Sequence, residues 1–253
     1  MRNGLLLLAL CSPIALAQSV IEVGANSLIR LPTSSQVLHL QRLAIAERGT
    51  LLIPAGVSEI RVDELQLGSE ARIALAPGEQ PLQLLVDSGQ VATGAQISAR
   101  GAKGTAQQPA QPGRSLILRL HSLSADMLLV DARGGAGAPG YSGLDGADGE
   151  AGGCTWGQAS RGHDGHDGGD GQAGAPGARV RVELPLDVPA ELLQIRVDGG
   201  EGGAAGPGGK GGRGGVSKGC WLYSTEGAAD GRPGQPGKAG APGPAGQLEL
   251  VRF

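Results

Sequence analysis

The sequence predicts a mostly β protein: a repetitive base, solenoid-like or sandwich-like, that carries antiparallel arms of polyglycine-II helix, with essentially no α-helix after an N-terminal signal. Three observations predict this class. Short apolar segments alternate with polar residues, as in half-buried strands. Glycine occupies every third position in four separate runs. The chain holds 47 glycines and 16 prolines but only 2% aromatic residues, so large side chains cannot fill an ordinary core throughout.

Residues 1–17 are typical of a secretory signal peptide. Arg2 precedes an apolar stretch, and Ala15-Leu16-Ala17 supplies the small residues of a cleavage site. The stretch is too short for a membrane-spanning helix, and Leu10 precedes Cys11 where a lipoprotein signal needs a small residue. We therefore expect an exported protein of the periplasm, cell surface or extracellular space, with no membrane span after cleavage.

The formal charge of −3 is spread over the chain, with lysine and arginine scattered. This pattern disfavours nucleic acid or anionic lipid as the main partner, because both attract concentrated positive charge.

The β base is predicted for residues 18–133. Its apolar segments recur at Val37, Ile60 and Leu82, a spacing of 23 and then 22 positions. This spacing indicates one coil of a β-solenoid with two or three strands per turn, counting weak middle segments at residues 43–45 and 65–67. An antiparallel meander or sandwich has the same alternation and remains the alternative.

The later repeats carry long insertions, which divide the rest of the chain. We expect a first glycine arm at residues 134–178, connecting strands at 179–198, a second arm at 199–246 and a final strand at 247–253. The insertions leave from equivalent corners and return into equivalent strands, so both arms should project from one edge of the base.

Each arm contains two glycine runs that keep a three-residue period for six glycines. The first run spans residues 137–152, the second 162–177, the third 200–215 and the fourth 231–246. This period matches an extended helix with three residues per turn. The two runs of an arm must return to neighbouring corners, which favours antiparallel packing within one chain over a collagen triple helix of three chains; disorder is a third alternative. A second glycine column at residues 199–214 predicts that the third run is the most enclosed.

Residues 134–246 resemble glycine-rich, collagen-like proteins of the polyglycine-II bundle type. The triplets Gly165-His166-Asp167-Gly168-Gly169-Asp170-Gly171 look like those of the snow-flea antifreeze type. Glycine arms on a β base are similar to those of the Obg GTPases, and glycine bundles with variable tips are similar to those of some phage tail-fibre adhesins. The resemblance implies a bundle that presents its tips or faces to a partner.

Each pair of runs is separated by an insert with one cysteine and one tryptophan. If Cys11 leaves with the signal, Cys154 and Cys220 remain, and an exported chain favours a disulfide between them over two free thiols. Such a bridge would stabilise the fold by about 3–4 kcal/mol, because it lowers the conformational entropy of the unfolded chain. Trp156, Trp221 and Tyr223 are candidate binding residues of the tips; alternatively, they cover the disulfide as a small local core.

A weak metal hypothesis rests on His163, Asp164, His166 and Asp167. At three residues per turn the two histidines share a ridge but lie about 9 Å apart, too far for one ion. Solvated polar ridges are the favoured interpretation. We find no motif for a catalytic nucleophile, a phosphate loop or a cofactor site, so we predict neither an enzyme nor a bound cofactor.

The expected function is an exported, non-enzymatic structural or adhesive protein that binds a protein or glycan surface through its arm tips or faces. Ice binding is the first alternative, since a glycine bundle presents flat ridges of small residues. A trimeric, collagen-like surface protein is the second, and it would make the chain a homo-oligomer.

Overall fold

The computed structural model describes residues 19–32, 35–154 and 157–253; the predicted signal peptide and Trp156 lie outside them. Within these ranges the chain forms β-strands and a single 3-10 helix, Ala190–Leu192. The strands are β1 (Val20–Val23), β2 (Leu28–Arg30), β3 (Val37–Ile45), β4 (Thr50–Ile53), β5 (Glu59–Leu67), β6 (Arg72–Leu75), β7 (Leu82–Val91), β8 (Gln96–Ser98), β9 (Leu116–Leu120), β10 (Leu123–Ala125), β11 (Leu128–Asp131), β12 (Arg179–Leu184), β13 (Leu193–Arg196), β14 (Lys218–Gly219), β15 (Ser224–Thr225) and β16 (Gln247–Arg252).

The strands form two large sheets and one small hairpin. In the described chain the first sheet has the order β1-β3-β5-β7-β9-β12-β16, with β10 beside β7, and the second has the order β13-β11-β8-β6-β4-β2. Every strand pair in the two large sheets is parallel. Parallel neighbours need a crossover connection; here the crossover is usually a strand of the other sheet rather than a helix.

The hydrophobic core lies where the two sheets face each other. Ile60 and Val62 of β5 and Ile73 of β6 are almost fully buried, while Arg61 between the first two points to solvent. This is the period-2 pattern of a strand with one face in the core. The same pattern repeats along each sheet, so stacked aliphatic side chains form one continuous core.

The predicted fold class is wrong, because the base consists of two large parallel sheets rather than a solenoid-like coil or a sandwich. The sandwich alternative required antiparallel neighbours, which neither large sheet contains among the described residues. The predicted middle segments at residues 43–45 and 65–67 form no strands of their own. They are the final residues of the nine-residue strands β3 and β5. Alternation of apolar and polar residues indicates which side chains of a strand face inward. It gives neither the residue at which that strand ends nor the direction of the neighbouring strand.

Tight turns join the first sheet to the second, and each holds a residue in left-handed conformation. Asn26, Arg48 and Glu70 have φ of 53°, 54° and 56°, and Gly94 has φ of 78°. The turns stack, since Asn26 donates its backbone N–H to Glu47 and Arg48 donates to Ser69. These hydrogen bonds between neighbouring turns offset the cost of left-handed backbone at residues that carry a side chain.

Arg114 is a buried charge that fixes a corner of the base. Its guanidinium donates to the carbonyl oxygens of Gln80 at 3.0 Å and Ala55 at 3.2 Å, and also to that of Val57. Burial lowers the pKa of Arg114 below its ordinary value, because desolvation disfavours the charged form. A planar cation with five donors suits a corner where several carbonyl groups converge.

Three insertions leave the base at one edge. They follow β8, β11 and β13 of the second sheet, and they return into β9, β12 and β16 of the first. The four glycine runs lie in the last two insertions and form no conventional strands. Both arms therefore begin and end at stacked, equivalent positions.

Hydrogen bonds between backbones connect the four runs. Gly140 of the first run donates to Ala204 of the third at 2.9 Å, and Gly168 of the second donates to Gln235 of the fourth at 2.8 Å. Gly206 of the third run donates to Gly169 of the second at 2.9 Å. Each bond recurs every three residues along its run.

The directions of the runs agree with the prediction of antiparallel runs within an arm, and they show how the two arms lie against each other. Runs within one arm are antiparallel, because partner numbers fall in one as they rise in the other. However, the first and third runs are parallel, and so are the second and fourth. Equivalent insertions of a stacked base must start in the same direction, which makes equivalent runs parallel.

The third run is the most enclosed, as its double glycine column predicts. Its every-third glycines, from Gly200 to Gly215, are all buried, whereas those of the fourth run are only half-buried. The fourth run contacts the second and third and carries four prolines: Pro233, Pro236, Pro242 and Pro244. Proline has no N–H, so the run at the outer edge leaves fewer donors unpaired.

Candidate functional site

The tips of the two arms form the candidate site. The first tip joins the first and second runs, and the second tip joins the third and fourth. In the second tip, β14 and β15 pair antiparallel, with Lys218 opposite Thr225 and Gly219 opposite Ser224. Cys220 donates its backbone N–H to the Tyr223 carbonyl at 2.7 Å and closes the turn. The second tip is therefore a short hairpin at the end of the bundle.

A disulfide connects the two tips. Cys154 and Cys220 are bonded across 66 residues of sequence, with their Cα atoms 5.6 Å apart. The predicted bridge is thus present. The glycine ladders bring the ends of both arms together, and the bridge fixes the hairpin to the first tip.

Tyr223, the last residue of the turn before β15, anchors the hairpin. Its hydroxyl donates a hydrogen bond to the Cys154 carbonyl oxygen, while 52% of the residue stays exposed. The hydroxyl therefore links the hairpin to the first tip, while about half of the residue faces solvent.

Trp221 and Leu222 project from the turn of the hairpin. Trp221 is 96% exposed and Leu222 is 85% exposed, so neither packs over the disulfide. The structure brings Trp221 and Tyr223 to one tip. It gives no placement for Trp156, which lies outside the described residues.

A polar cleft of about 700 Å³ lies beside the hairpin. Side chains of Gln158, Tyr223, Ser224, Thr225 and Glu226 line it, together with backbone of neighbouring glycines. Amide, hydroxyl and carboxylate groups make this cleft a hydrogen-bonding surface.

The weak metal candidates have another role in the structure. Asp164 accepts a hydrogen bond from the backbone N–H of Arg232 at 2.7 Å, and Asp167 accepts one from that of Gln235 at 2.7 Å. His163 and His166 donate their backbone N–H groups to the first run. In the described part of the chain, no group of three or more His, Cys, Asp or Glu side chains is arranged to hold a metal ion.

These two aspartates belong to a larger ladder between parallel runs. The other members that accept a backbone N–H from the parallel run are Asp145, Asp148 and Asp170, which pair with Lys210, Arg213 and Lys238. In four of the five pairs, the N–H donor belongs to a lysine or arginine. The ladder therefore satisfies backbone donors, and in most pairs an acidic residue lies opposite a basic residue of the parallel run.

The ladder lowers the pKa of Asp164 below its ordinary value. The main cause is the hydrogen bond from the Arg232 backbone, assisted by the charges of Arg161 and Arg232 and opposed by desolvation. The Arg161 guanidinium lies 2.8 Å from the Asp164 carboxylate. A donor and two cations stabilise the ionised carboxylate.

Sequence reasoning did not identify Leu222 as a tip residue or the aspartates as acceptors. A signal for Leu222 was present, since Trp221-Leu222-Tyr223 is a consecutive apolar triplet that follows Cys220 directly. The aspartates follow a regular glycine-x-aspartate spacing, but only the packing of parallel runs identifies their donors.

A larger groove of about 840 Å³ crosses the first sheet, far along the chain from the tips. It is lined by small, aliphatic and amide residues such as Ala44, Gln66 and Gln90, with Glu22 as its only acidic residue. It carries no aromatic residue and no acid–base pair, so the tips remain the better candidate.

Within the described ranges, none of the helices has the length and apolar character needed to cross a bilayer. Comparisons of this chain with models of known protein families, with curated proteins and with solved structures found no match.

Proposed function

We propose that this chain is an exported, non-enzymatic structural or adhesive protein that binds a partner through the tips of its glycine arms. One observation carries the proposal: Trp221, Leu222 and Tyr223 are consecutive apolar residues, and all three are exposed at the end of the bundle. Exposed apolar triplets reduce solubility, so their presence at a projecting point favours a binding role.

The support beneath the tip favours the same function. The disulfide and the Tyr223 hydroxyl fix the hairpin to the opposite tip, and the glycine ladders join all four runs. A site held on rigid elements loses little conformational entropy on binding.

The glycine N–H groups also bear on the trimeric alternative. They donate to other runs of the same chain, whereas collagen packs the glycines of three chains on a common axis. This supports arms that are complete within one protomer.

The test is retention of protein-coated beads on intact cells of the producing organism. We expect wild-type protein to retain beads and Trp221→Ala with Leu222→Asp to reduce retention by roughly tenfold, the size of a hot-spot loss. Leu186→Asp is the matched control, because Leu186 is 81% exposed in the base, away from the arms.

Equal retention of the wild-type protein and the tip variant would reject binding through the tip. If Leu186→Asp reduces bead retention as well, the effect comes from the general removal of exposed apolar surface. This result would also reject the proposal.

A further inference from the structure

We infer that the hairpin of the second tip inserts its Trp221-Leu222-Tyr223 turn into the interfacial region of a lipid bilayer. The inference rests on the proposed binding role of the tip, and it names the partner as lipid. Four features of the tip carry it: residue type, shape, backbone satisfaction and charge.

The three residue types fit the boundary between water and hydrocarbon. Tryptophan and tyrosine are enriched at this boundary, because each has an apolar ring and a polar group. Leu222, between them in sequence, supplies purely aliphatic surface and is 85% exposed. Together they provide a short apolar point with polar groups at its sides.

The shape of the tip favours a bilayer over a protein partner. Trp221 is 96% exposed on the turn of a hairpin, so it projects as a convex point. A protein would need a matching pocket to bury such a point, whereas lipid yields around it. The polar cleft lies at the side of the hairpin, so the apolar point itself is presented outwards.

The backbone beneath the turn is already hydrogen-bonded within the protein. Cys220 donates its N–H to the Tyr223 carbonyl, and β14 pairs with β15 behind it. The Tyr223 hydroxyl is also bonded, to the Cys154 carbonyl. Backbone groups in the hydrocarbon must be satisfied internally, so the bonds beneath the turn, held by the bridge to Cys154, fit insertion to the interfacial region.

Charge near the turn is mixed rather than strongly positive. Lys218 stands at the start of the hairpin and Glu226 directly follows it, while the Arg161 guanidinium is paired with Asp164 at 2.8 Å. This distribution excludes an electrostatic requirement for anionic lipid. Insertion should therefore occur into zwitterionic bilayers.

The experiment uses the fluorescence of Trp221. The chain has 2 tryptophans, so Trp156→Phe leaves Trp221 as the only reporter in the otherwise intact, disulfide-bonded protein. Vesicles of phosphatidylcholine are titrated in, and the emission maximum is followed. A second set of vesicles carries bromine on the acyl chains, which quenches only a tryptophan that reaches them.

We expect a shift of emission to shorter wavelength and quenching by the brominated lipid. Leu222→Asp in the same background should weaken vesicle partitioning by roughly tenfold or more, because a charge replaces aliphatic surface at the point of insertion. Leu186→Asp, in the base, should leave partitioning unchanged.

The inference is overturned if saturating vesicles leave the emission and the quenching unchanged, or if Leu222→Asp partitions as well as its parent. If the bead assay still depends on the tip while the vesicle assay fails, the partner is a protein or glycan, and only the lipid inference falls. If both assays fail, the proposed tip function falls as well.

Discussion

The two halves of this molecule stabilise themselves by different means. The base buries rows of leucine, isoleucine and valine between two parallel sheets. The glycine bundle has no such side chains to bury, and its runs contact one another through backbone hydrogen bonds. In the base, side chains fill the space between the sheets. In the bundle, glycine has no side chain, and this allows the backbones of neighbouring runs to contact each other directly.

This difference teaches how each half should respond to a change of volume. A side-chain core can adjust when one group is shortened, because neighbours relax partly into the space. A direct contact between two backbones cannot adjust in this way when a group is added. A Cβ added at Gly206 would lie 2.0 Å from the Tyr141 carbonyl oxygen, and neither backbone can move without breaking its ladder.

The largest expected effect is that of Gly206→Ala. The added methyl group must separate the third run from the first, and we expect a loss of about 4 kcal/mol or more, as in the severest single substitutions. Chemical denaturation measures this loss. Hydrogen exchange of the glycine amides shows where it falls, with protection lost in the bundle and retained in the strands.

Gly56→Ala is the control, since a Cβ at Gly56 meets nothing within 4 Å. Its effect should stay within about 0.5 kcal/mol. If Gly206→Ala proved equally mild, the bundle would not depend on direct backbone contact.

The second effect in size is Leu84→Ala in the base. Leu84 is 1% exposed, and its truncation should cost about 3 kcal/mol through lost burial and a cavity. Here exchange protection should fall first in the strands, the reverse of the pattern for Gly206→Ala. Leu85→Ala, its neighbour on the outer face, should cost about 1 kcal/mol. Equal costs at both positions would contradict the assignment of the core.

The smallest effect is a pH dependence in the aspartate ladder. The pKa of Asp164 is lowered from its ordinary 3.8, so the folded state favours the ionised carboxylate more than the unfolded state does. The contribution of Asp164 to the stability of the fold is therefore fully present above pH 3.8. This contribution is lost as the pH falls through the lower pKa of the folded state. Thermal melting at a series of pH values should show the bundle weaken in this acidic range.

Asp164→Asn keeps an acceptor oxygen but does not titrate, so its melting temperature should depend less on acidic pH than that of the wild type. Glu226→Gln changes a carboxyl group outside the ladder and serves as the control. If the melting temperature of Asp164→Asn falls at acidic pH as much as that of the wild type, Asp164 contributes nothing to this pH dependence.

The candidate site was partly predictable from sequence. Cys154 and Cys220 could be paired because they are the two cysteines outside the predicted signal peptide. The exposure of Trp221 could not be predicted, since an aromatic residue beside a disulfide is equally suited to cover it. Leu222 belongs to the apolar triplet of residues 221–223, but such a triplet suits a buried position equally well, and only its place at the hairpin turn makes it exposed.

The sequence by itself determined the β character of the base, the positions of the arms and the need for glycine at every third residue, because alternation and period are local properties of the chain. Tertiary structure alone decided that both sheets are parallel, that residues 43–45 and 65–67 extend long strands, and that equivalent runs are parallel. It also gave Asp164 and Asp167 their backbone donors. The physical reason is the same in each case: the direction of a strand or run, and the partner of a polar group, depend on segments far away in the chain.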